Sequence, residues 1–241
     1  MMMWTVFWLF MVFTGSALAE EDGLLVSCNR ADIECLSKST TTFLGRTYQG
    51  DARYGFVPID PVNIPSRNVE FDDSVGIIYK YKNVIVKGLK HQTISDFKMD
   101  TTAKSVVLTT KADLDIVADV TVEFPKKAKS FTGSVTGKGS VLGTATYNYE
   151  LNTNDKGVRH FEVGPETITC QVVTIPVTQT NPELAQALLQ DDDFNTLSKQ
   201  KIEELRAKAF CELVRESYKS VIHNIRTAAK LLPASSFFKD I

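Results

Sequence analysis

The side chains best suited to covalent chemistry in this chain are its four cysteines. Four cysteines allow three pairings, and the spacing favours Cys28–Cys35, seven residues apart, with Cys170–Cys211, separated by 40 residues. A zinc site is the alternative, but the sequence has no C-x-x-C motif and its three histidines are scattered. We therefore predict two disulfides and no metal site.

Groups that could catalyse a reaction are few. Asp113, Asp115 and Asp119 alternate along one segment and could act as paired carboxylates, but a solvated strand face explains them better. Gly137–Lys138–Gly139 resembles a dinucleotide-binding loop only faintly, and we interpret it as a hairpin turn. No G-x-S-x-G motif is present, and His223 is flanked by apolar residues typical of a core or boundary position. The sequence predicts a protein that is not an enzyme and needs no cofactor.

The first nineteen residues have the pattern of a secretory signal peptide. An apolar run, Trp4–Phe13, is followed by Ala17–Leu18–Ala19 and then by acidic residues from Glu20. We expect cleavage after residue 19, leaving residues 20–241 as a single secreted domain. No later segment has eighteen consecutive apolar residues, which argues against stable membrane insertion. A net charge of −2 argues against a nucleic-acid partner.

The longest predicted element is a helix spanning Leu197–Leu232. Its apolar residues recur at steps of three and four and form a stripe too wide for a coiled-coil seam. Strict heptads are missing, so we expect this same chain, rather than a partner helix, to cover the stripe. The residues of the stripe are Ile202, Leu205, Ala209, Leu213, Val214, Val221, Ile222, Ile225, Ala229 and Leu232.

Most of the chain upstream of this helix has the pattern of β-strands. In Val106–Phe124 ten apolar or small residues alternate with polar ones, and a strand this long must curl or contain a bulge. The other predicted strands are Val75–Tyr81, Asn83–Leu89, Thr93–Met99, the hairpin Ser130–Val135 with Ser140–Leu151, Arg159–Val163 and Thr167–Thr178. We predict an α+β fold in which a highly curved antiparallel sheet wraps the long C-terminal helix.

A short amphipathic helix precedes the strands. Asn29 or Asp32 can cap it, and we expect Gly45 to end it. A short helix pinned by its own small disulfide could move as a flap, although a static packing helix fits the pattern equally well. The turn-rich segment Tyr48–Asn68 that follows is too apolar for a linker, so we expect it to lie irregularly across the core.

The chain has more apolar material than one helix needs, which favours an apolar ligand cavity. Tyr147 stands out because Gly143 and Ala145 precede it on the same strand face. Small residues leave room, and a phenol there could donate a hydrogen bond to a ligand oxygen. The alternative is a tyrosine packed against the helix, with its hydroxyl bonded to a backbone carbonyl.

Several long blocks of the sequence resemble the haemolymph juvenile hormone-binding protein family of moths, and the resemblance covers essentially the whole mature chain. The blocks are Pro58–Pro61, Gly88–Phe97, Thr110–Leu114, Lys129–Gly133, Gly157–Glu166 and Leu231–Phe238. The four cysteines also stand where this family has its two disulfides.

This resemblance implies a secreted, haemolymph carrier, expected to be monomeric, that transports juvenile hormone, a sesquiterpenoid epoxy ester, and protects it from hydrolysis. It implies the helix-in-curved-sheet fold of lipid-transfer proteins, with a cavity at one end covered by a gate helix, Asp32–Leu44. It matches Tyr147 to the tyrosine that contacts the hormone's epoxide. By position alone it places these residues on the cavity wall: Ile33, Leu36, Phe43, Tyr54, Phe56, Phe237 and Phe238.

Three other functions stay open at this point. The protein could carry a different apolar ligand, such as a fatty acid or an odorant. It could instead be a structural or interaction protein, in which case its interior would be filled. An esterase acting on an apolar ester is the third alternative.

Overall fold

The computed structural model describes residues 24–71 and 76–241. The predicted signal peptide lies outside the described residues, as does Val75, the predicted start of one strand. The elements, in chain order, are α1 Ile33–Thr47, β1 Val62–Glu70, β2 Ile78–Lys87, β3 Thr93–Asp100, β4 Ser105–Phe124, β5 Lys129–Thr153, β6 Arg159–Val172, β7 Val177–Thr180, α2 Pro182–Leu189, α3 Asp192–Asn195 and α4 Lys199–Leu231.

Helix α4 runs through the centre of the molecule, and the prediction of a long C-terminal helix is confirmed. Ser198 caps its first turn, because its hydroxyl accepts a hydrogen bond from the Lys201 backbone N–H at 3.1 Å. Its buried face follows the predicted stripe and packs into the same core as the inner faces of the strands. No helix in the described part of the chain is long and apolar enough to cross a membrane.

The strands form one antiparallel sheet in the order β1-β2-β4-β5-β6, with β3 paired to β4 and β7 paired to β5. Strands β4 and β5 pair without a shift from Ser105↔Asn148 to Phe124↔Lys129. Strand β4 is long enough for β3 to pair with its first half and β2 with its second half. Register shifts interrupt the β2–β4, β3–β4 and β5–β6 pairings, and such irregularities let a sheet bend. The predicted curved sheet around a long helix is confirmed.

The predicted hairpin at Gly137–Gly139 is wrong, because β5 continues through it as a strand of 25 residues. The ring of Phe210, from α4, lies over these glycines. A Cβ added to Gly139 would stand 3.3 Å from Phe210 Cζ, and one added to Gly137 would stand 3.5 Å from Phe210 Cδ2. The glycines thus let the helix approach the strand closely, which local turn patterns cannot show.

Other element boundaries differ from the prediction. Gly45 lies inside α1, which continues to buried Thr47, whose hydroxyl donates to the Phe43 carbonyl at 2.9 Å. Strand β1 occupies part of the segment expected to be irregular, and it tolerates Pro65 because it is an edge strand. The two strands predicted around Asn83 are one strand, β2, and the two predicted around Gly164 are one strand, β6. Helices α2 and α3 were not predicted.

Both predicted disulfides are present. Cys28–Cys35 joins the segment before α1 to its first turn, with Cα atoms 5.8 Å apart. Cys170–Cys211 joins β6 to the middle of α4, with Cα atoms 5.4 Å apart. The first disulfide therefore restrains the N-terminal helix, and the second fixes the central helix to the sheet.

An apolar cavity under the N-terminal helix

A cavity lies between α1, the C-terminal half of α4 and the inner face of the sheet. We call it the first cavity, and its volume is about 120 Å³. Its apolar wall consists of Leu25, Leu36, Phe43, Leu44, Ile94, Phe97, Leu108, Val221, Ile225, Ala228, Phe237 and Phe238. Its polar wall residues are Ser39, Thr40, Gln92, Thr110 and Tyr147. No charged residue belongs to this described wall, which suits a neutral, apolar ligand.

Helix α1 forms the cover of the first cavity. Asp32 caps the helix by accepting a hydrogen bond from the Cys35 N–H at 2.9 Å. The face that carries Leu36 and Phe43, one heptad apart, turns toward the cavity. Ser39, on the same face, connects the helix to the segment that precedes it. Its hydroxyl donates to the Val26 carbonyl at 2.8 Å and accepts from the Val26 N–H at 2.9 Å.

The C-terminal tail completes the rim of the cavity beside α1. The Cys28 N–H donates to the Phe237 carbonyl at 3.2 Å, and the Lys239 N–H donates to the Cys28 carbonyl at 3.0 Å. Arg30 forms a salt bridge with Asp240 at 3.1 Å. Partial burial raises the pKa of Asp240, but the hydrogen bonds and charge of Arg30 outweigh this and hold its pKa below the ordinary value. The segment before α1 and the C-terminal tail are thus tied together beside the cavity.

Tyr147 supplies the most distinctive polar group of the first cavity. It lies on β5 and is 7% exposed. Burial raises the pKa of its hydroxyl far above the usual value, although the nearby charge of Arg226 lowers it slightly, so the group is neutral at any physiological pH. Its hydroxyl forms no hydrogen bond with any of the described residues. A tyrosine hydroxyl on an apolar wall and without a protein partner is suited to bond a ligand oxygen.

The remaining polar atoms of the floor bond to one another. The Thr110 hydroxyl lies 2.9 Å from both the Gln92 side-chain oxygen and the Tyr218 hydroxyl, and Gln92 donates to the Leu89 carbonyl at 3.0 Å. Burial raises the pKa of Tyr218 to about 12. The space that Gly143 was expected to leave for a ligand is occupied by Tyr218, since a Cβ there would lie within 2.5 Å of its ring.

The structure brings five of the eight predicted ligand-contact residues together on this wall: Tyr147, Leu36, Phe43, Phe237 and Phe238. Phe56 stands behind the wall, with its ring edge-on to Phe43 at 5.9 Å. Ile33 is half-buried at the start of α1, outside the wall. Tyr54 is 45% exposed in a surface turn, where the guanidinium of Arg53 lies 5.4 Å from its ring centre.

Sequence reasoning missed the wall residues contributed by β3 and α4. On α4, Val221 and Ile225 belong to the apolar stripe already recognised, and Ala228, three residues after Ile225, was not part of that prediction. The stripe alone could not show which of its residues face a space and which face packed side chains. Ile94 and Phe97 on β3 have opposite parity, and both reach the cavity because a register shift follows Ile94.

The groups weighed for catalysis lie elsewhere. Asp113, Asp115 and Asp119 are exposed on the outer face of β4, where they bond to Ser140, Lys138 and Asn83 in turn. His223 is exposed, and its Nε2 lies 3.0 Å from the Gly55 carbonyl oxygen. Across residues 24–71 and 76–241, no group of three or more His, Cys, Asp or Glu side chains is arranged to hold a metal ion.

Comparisons with known proteins place this geometry in a family. Residues 7–163 match the family model of the haemolymph juvenile hormone binding protein (JHBP). The chain is 44% identical over 227 residues to the juvenile hormone-binding protein of Manduca sexta, an alignment that covers 93% of this chain and 99% of the relative. The crystal structure of Takeout 1 from Epiphyas postvittana shares the fold, with a TM-score of 0.70 and 18% identity over 88% of this chain and 98% of that one. The chain belongs to the haemolymph juvenile hormone-binding protein family.

Proposed function

We propose that the protein is a secreted carrier that binds juvenile hormone in the first cavity. The observation that carries the proposal is a neutral, apolar cavity whose wall includes the Tyr147 hydroxyl, which forms no hydrogen bond with the described residues. The hormone is an apolar molecule with ester and epoxide oxygens that accept hydrogen bonds. The relative from Manduca sexta, which aligns over nearly its whole length, is named for binding this hormone. Two disulfides suit an oxidising extracellular fluid.

Burial of the hormone's carbon skeleton supplies most of the affinity in this proposal. About 400 Å² of apolar surface removed from water is worth about 10 kcal/mol at 25 cal/mol per Å². Loss of translational and rotational freedom offsets a large part of that gain. A hydrogen bond from Tyr147 to the epoxide adds only about 1 kcal/mol, but it disfavours analogues that leave the hydroxyl without a partner. Burial therefore sets the affinity, and Tyr147 sets the specificity.

Entry of the hormone requires the rim to open, and α1 is the element placed to move. Its side chains Leu36 and Phe43 cover the cavity, while Cys28–Cys35 ties its first turn to the preceding segment. We propose that α1 closes over the hormone and that closure shields the ester from water and esterases. Hydrogen exchange in α1 should slow on hormone binding; unchanged exchange there would contradict a moving gate.

The decisive experiment is competition for binding of radiolabelled juvenile hormone to the mature protein, residues 20–241, with palmitic acid as competitor. We expect saturable binding of one hormone per chain that the fatty acid does not displace. Equal displacement by palmitic acid would favour a general fatty-acid carrier instead. No hormone binding would leave an interaction protein, and release of methanol from the ester would reveal an esterase.

A further inference from the structure

A second cavity lies at the other end of the molecule, and the proposed hormone site does not use it. Its volume is also about 120 Å³. It lies against the N-terminal half of α4, from Ile202 to Leu213, whereas the first cavity meets α4 from Val221 to Ala228. The nearest wall residues on the helix, Leu213 and Val221, are about 12 Å apart at 1.5 Å per residue. The two cavities are therefore separate sites.

The second cavity has its own buried tyrosine. Tyr81, on β2, is 7% exposed and belongs to the wall, with its ring edge-on to Tyr79 at 6.2 Å. Desolvation by burial keeps its hydroxyl neutral by raising its pKa, and the neighbouring Tyr79 adds to this. The hydroxyl forms no hydrogen bond with the described residues. Such a group needs an acceptor atom from a ligand or a water molecule.

The second cavity differs from the first because a cation belongs to its wall. Arg206 reaches the wall from an exposed position on α4, four residues after Ile202 on the same helix face. It forms no salt bridge with any described residue. The adjacent carboxylates are paired elsewhere, since Glu203 lies 3.9 Å from Lys199 and Glu204 lies 3.9 Å from Lys201. The guanidinium is thus free to bind an anion at the rim.

The two polar groups stand at different depths. Tyr81 pairs with Arg67 across β1 and β2, and Arg67 contacts Glu212 on α4 at 2.8 Å. Along the axis of α4, Tyr81 therefore lies at about the position of Glu212. Glu212 is six residues after Arg206, or about 9 Å along the helix at 1.5 Å per residue. The wall also contains apolar side chains: Ile116 from the sheet, Leu184 and Leu188 from α2, and Phe210 from α4.

We propose that the second cavity binds a long-chain carboxylic acid that carries an oxygen acceptor within its chain. Arg206 pairs with the carboxylate at the rim, where the charge keeps contact with water. The apolar chain lies in the cavity, and the Tyr81 hydroxyl donates a hydrogen bond to the in-chain epoxide, carbonyl or hydroxyl oxygen. A neutral ester lacks the anion that Arg206 recognises, so the two cavities select different ligands.

The test uses the mature protein saturated with juvenile hormone, or the free protein if the hormone does not bind. The probes are 9,10-epoxystearic acid, stearic acid and methyl 9,10-epoxystearate, titrated below their aggregation concentrations and followed by calorimetry. We expect one further site that takes the epoxy acid most tightly. The unmodified fatty acid and the methyl ester should each bind about five- to tenfold more weakly.

Three variants assign the contacts. Arg206→Gln should weaken the epoxy acid about fivefold and leave its methyl ester unchanged, because only the acid carries the charge. Lys199→Gln, a matched loss of one positive charge on the same helix outside the wall, should change neither. Tyr81→Phe should weaken the epoxy acid about fivefold and leave stearic acid unchanged.

The outcomes separate this proposal from the hormone site. Absence of any binding of the acids to the free protein would overturn the second site without touching the hormone proposal. Acid binding that hormone displaces, and that survives Ile202→Trp but not Ile225→Trp, would place the acid in the first cavity and would also overturn it. Equal effects of Arg206→Gln and Lys199→Gln would exclude Arg206 as the carboxylate contact.

Discussion

The two ends of the molecule hold cavities of equal volume with the same kind of buried group, yet they differ in charge. Each has a tyrosine hydroxyl that forms no hydrogen bond with the described residues, Tyr147 in the first and Tyr81 in the second. Among the residues that the structure describes, an arginine belongs to the wall of the second cavity and none to that of the first. Volume is therefore shared, and the charge at the rim distinguishes the proposed ester site from the proposed acid site.

The covers of the two cavities differ as well. Helix α1 is held at its N-terminal end by Cys28–Cys35 and packs by side chains over the first cavity. Helix α2, over the second cavity, follows Asn181, whose side chain accepts a hydrogen bond from the Ser134 N–H at 2.9 Å beside Gly133. A Cβ on Gly133 would lie 2.6 Å from the Leu184 Cβ, so α2 packs directly on β5. We infer that ligand-linked motion concentrates in α1.

The largest expected effect is on the free energy of unfolding, and it differs between the two disulfides. Replacing Cys170 and Cys211 by serine should lower the free energy of unfolding by about 4 kcal/mol, because their loop spans about forty residues. Replacing Cys28 and Cys35 should cost only about 2 kcal/mol. Urea unfolding followed by circular dichroism measures both. Loss of Cys28–Cys35 should also loosen the cover of the first cavity and weaken hormone binding. It should leave acid binding in the second cavity unchanged.

Comparing the hormone with its free acid tests the neutrality of the first cavity. At pH 7 the acid must be protonated to enter a wall without charges, and for a carboxyl of ordinary pKa near 4.3 this weakens binding about 500-fold. The affinity of the acid should rise about tenfold for each unit by which the pH falls toward that pKa. Displacement of labelled hormone reports this site alone. Equal affinity of ester and acid at pH 7 would show a cation in the first cavity.

Two matched substitutions on α4 should block one cavity each. Ile225 and Ile202 are both half-buried wall residues of the same helix, one in each cavity. Ile225→Trp should fill the first cavity and weaken hormone binding about 100-fold, leaving acid binding intact. Ile202→Trp should do the reverse. Each variant is the control for the other, and its melting temperature shows whether overpacking has disturbed the fold. Loss of both ligands in either variant would mean that the cavities communicate.

Tyr147→Phe should weaken binding of the epoxide-bearing hormone about tenfold, because one hydrogen bond in a dry site is lost. A hormone analogue with a carbon–carbon double bond in place of the epoxide should bind both proteins alike. The matched change in the other cavity, Tyr81→Phe, should leave the hormone unaffected. Equilibrium binding of both ligands to all three proteins provides the measurement. Equal losses for hormone and analogue would remove Tyr147 from the epoxide contact.

The smallest effect concerns pH and the tail at the rim of the first cavity. Because Arg30 lowers the pKa of Asp240 in the folded protein, the tether is fully present above the ordinary value of 3.8 and is lost as pH falls through the lowered pKa. Hormone dissociation should be constant from pH 5 to 8 and should rise about twofold at more acidic pH. Asp240→Asn should dissociate at the faster rate throughout. Stopped-flow dissociation measures both, and a rise near pH 6 would point to a different group.

The sequence patterns succeeded where the signal is local. The step of three and four over Leu197–Leu232 predicted α4 to within two residues, and alternation over Val106–Phe124 predicted β4 to within one. Long runs average over many residues, so tertiary contacts rarely override them. The glycines of β5 were wrongly predicted to form a hairpin turn. Phe210, the residue that packs on them, is more than seventy residues away in the chain, so no local pattern includes it.

The candidate site was recovered in part for the same reason. Tyr147 stood out because small residues precede it on its strand face, and the resemblance then matched it to a ligand contact. The resemblance placed the other wall residues by position alone: Leu36, Phe43, Phe237 and Phe238. Tyr54 was misplaced because its position in a turn, and not its type, decides whether it faces the cavity. Tyr81 gave no signal, since an aromatic residue on a buried strand face is ordinary and its lack of a partner is visible only in three dimensions.

By itself, the amino-acid sequence determined the long helix, the alternating strands, both disulfides and the family, because each rests on periodicity, spacing or long blocks of residues. Only the tertiary structure decided where the core stays empty and which polar groups lack partners. Tyr218 and Tyr147 are equally buried tyrosines, yet Thr110 bonds one hydroxyl while the other has no partner among the described residues. That difference arises from contacts between segments distant in the chain, which no local pattern records.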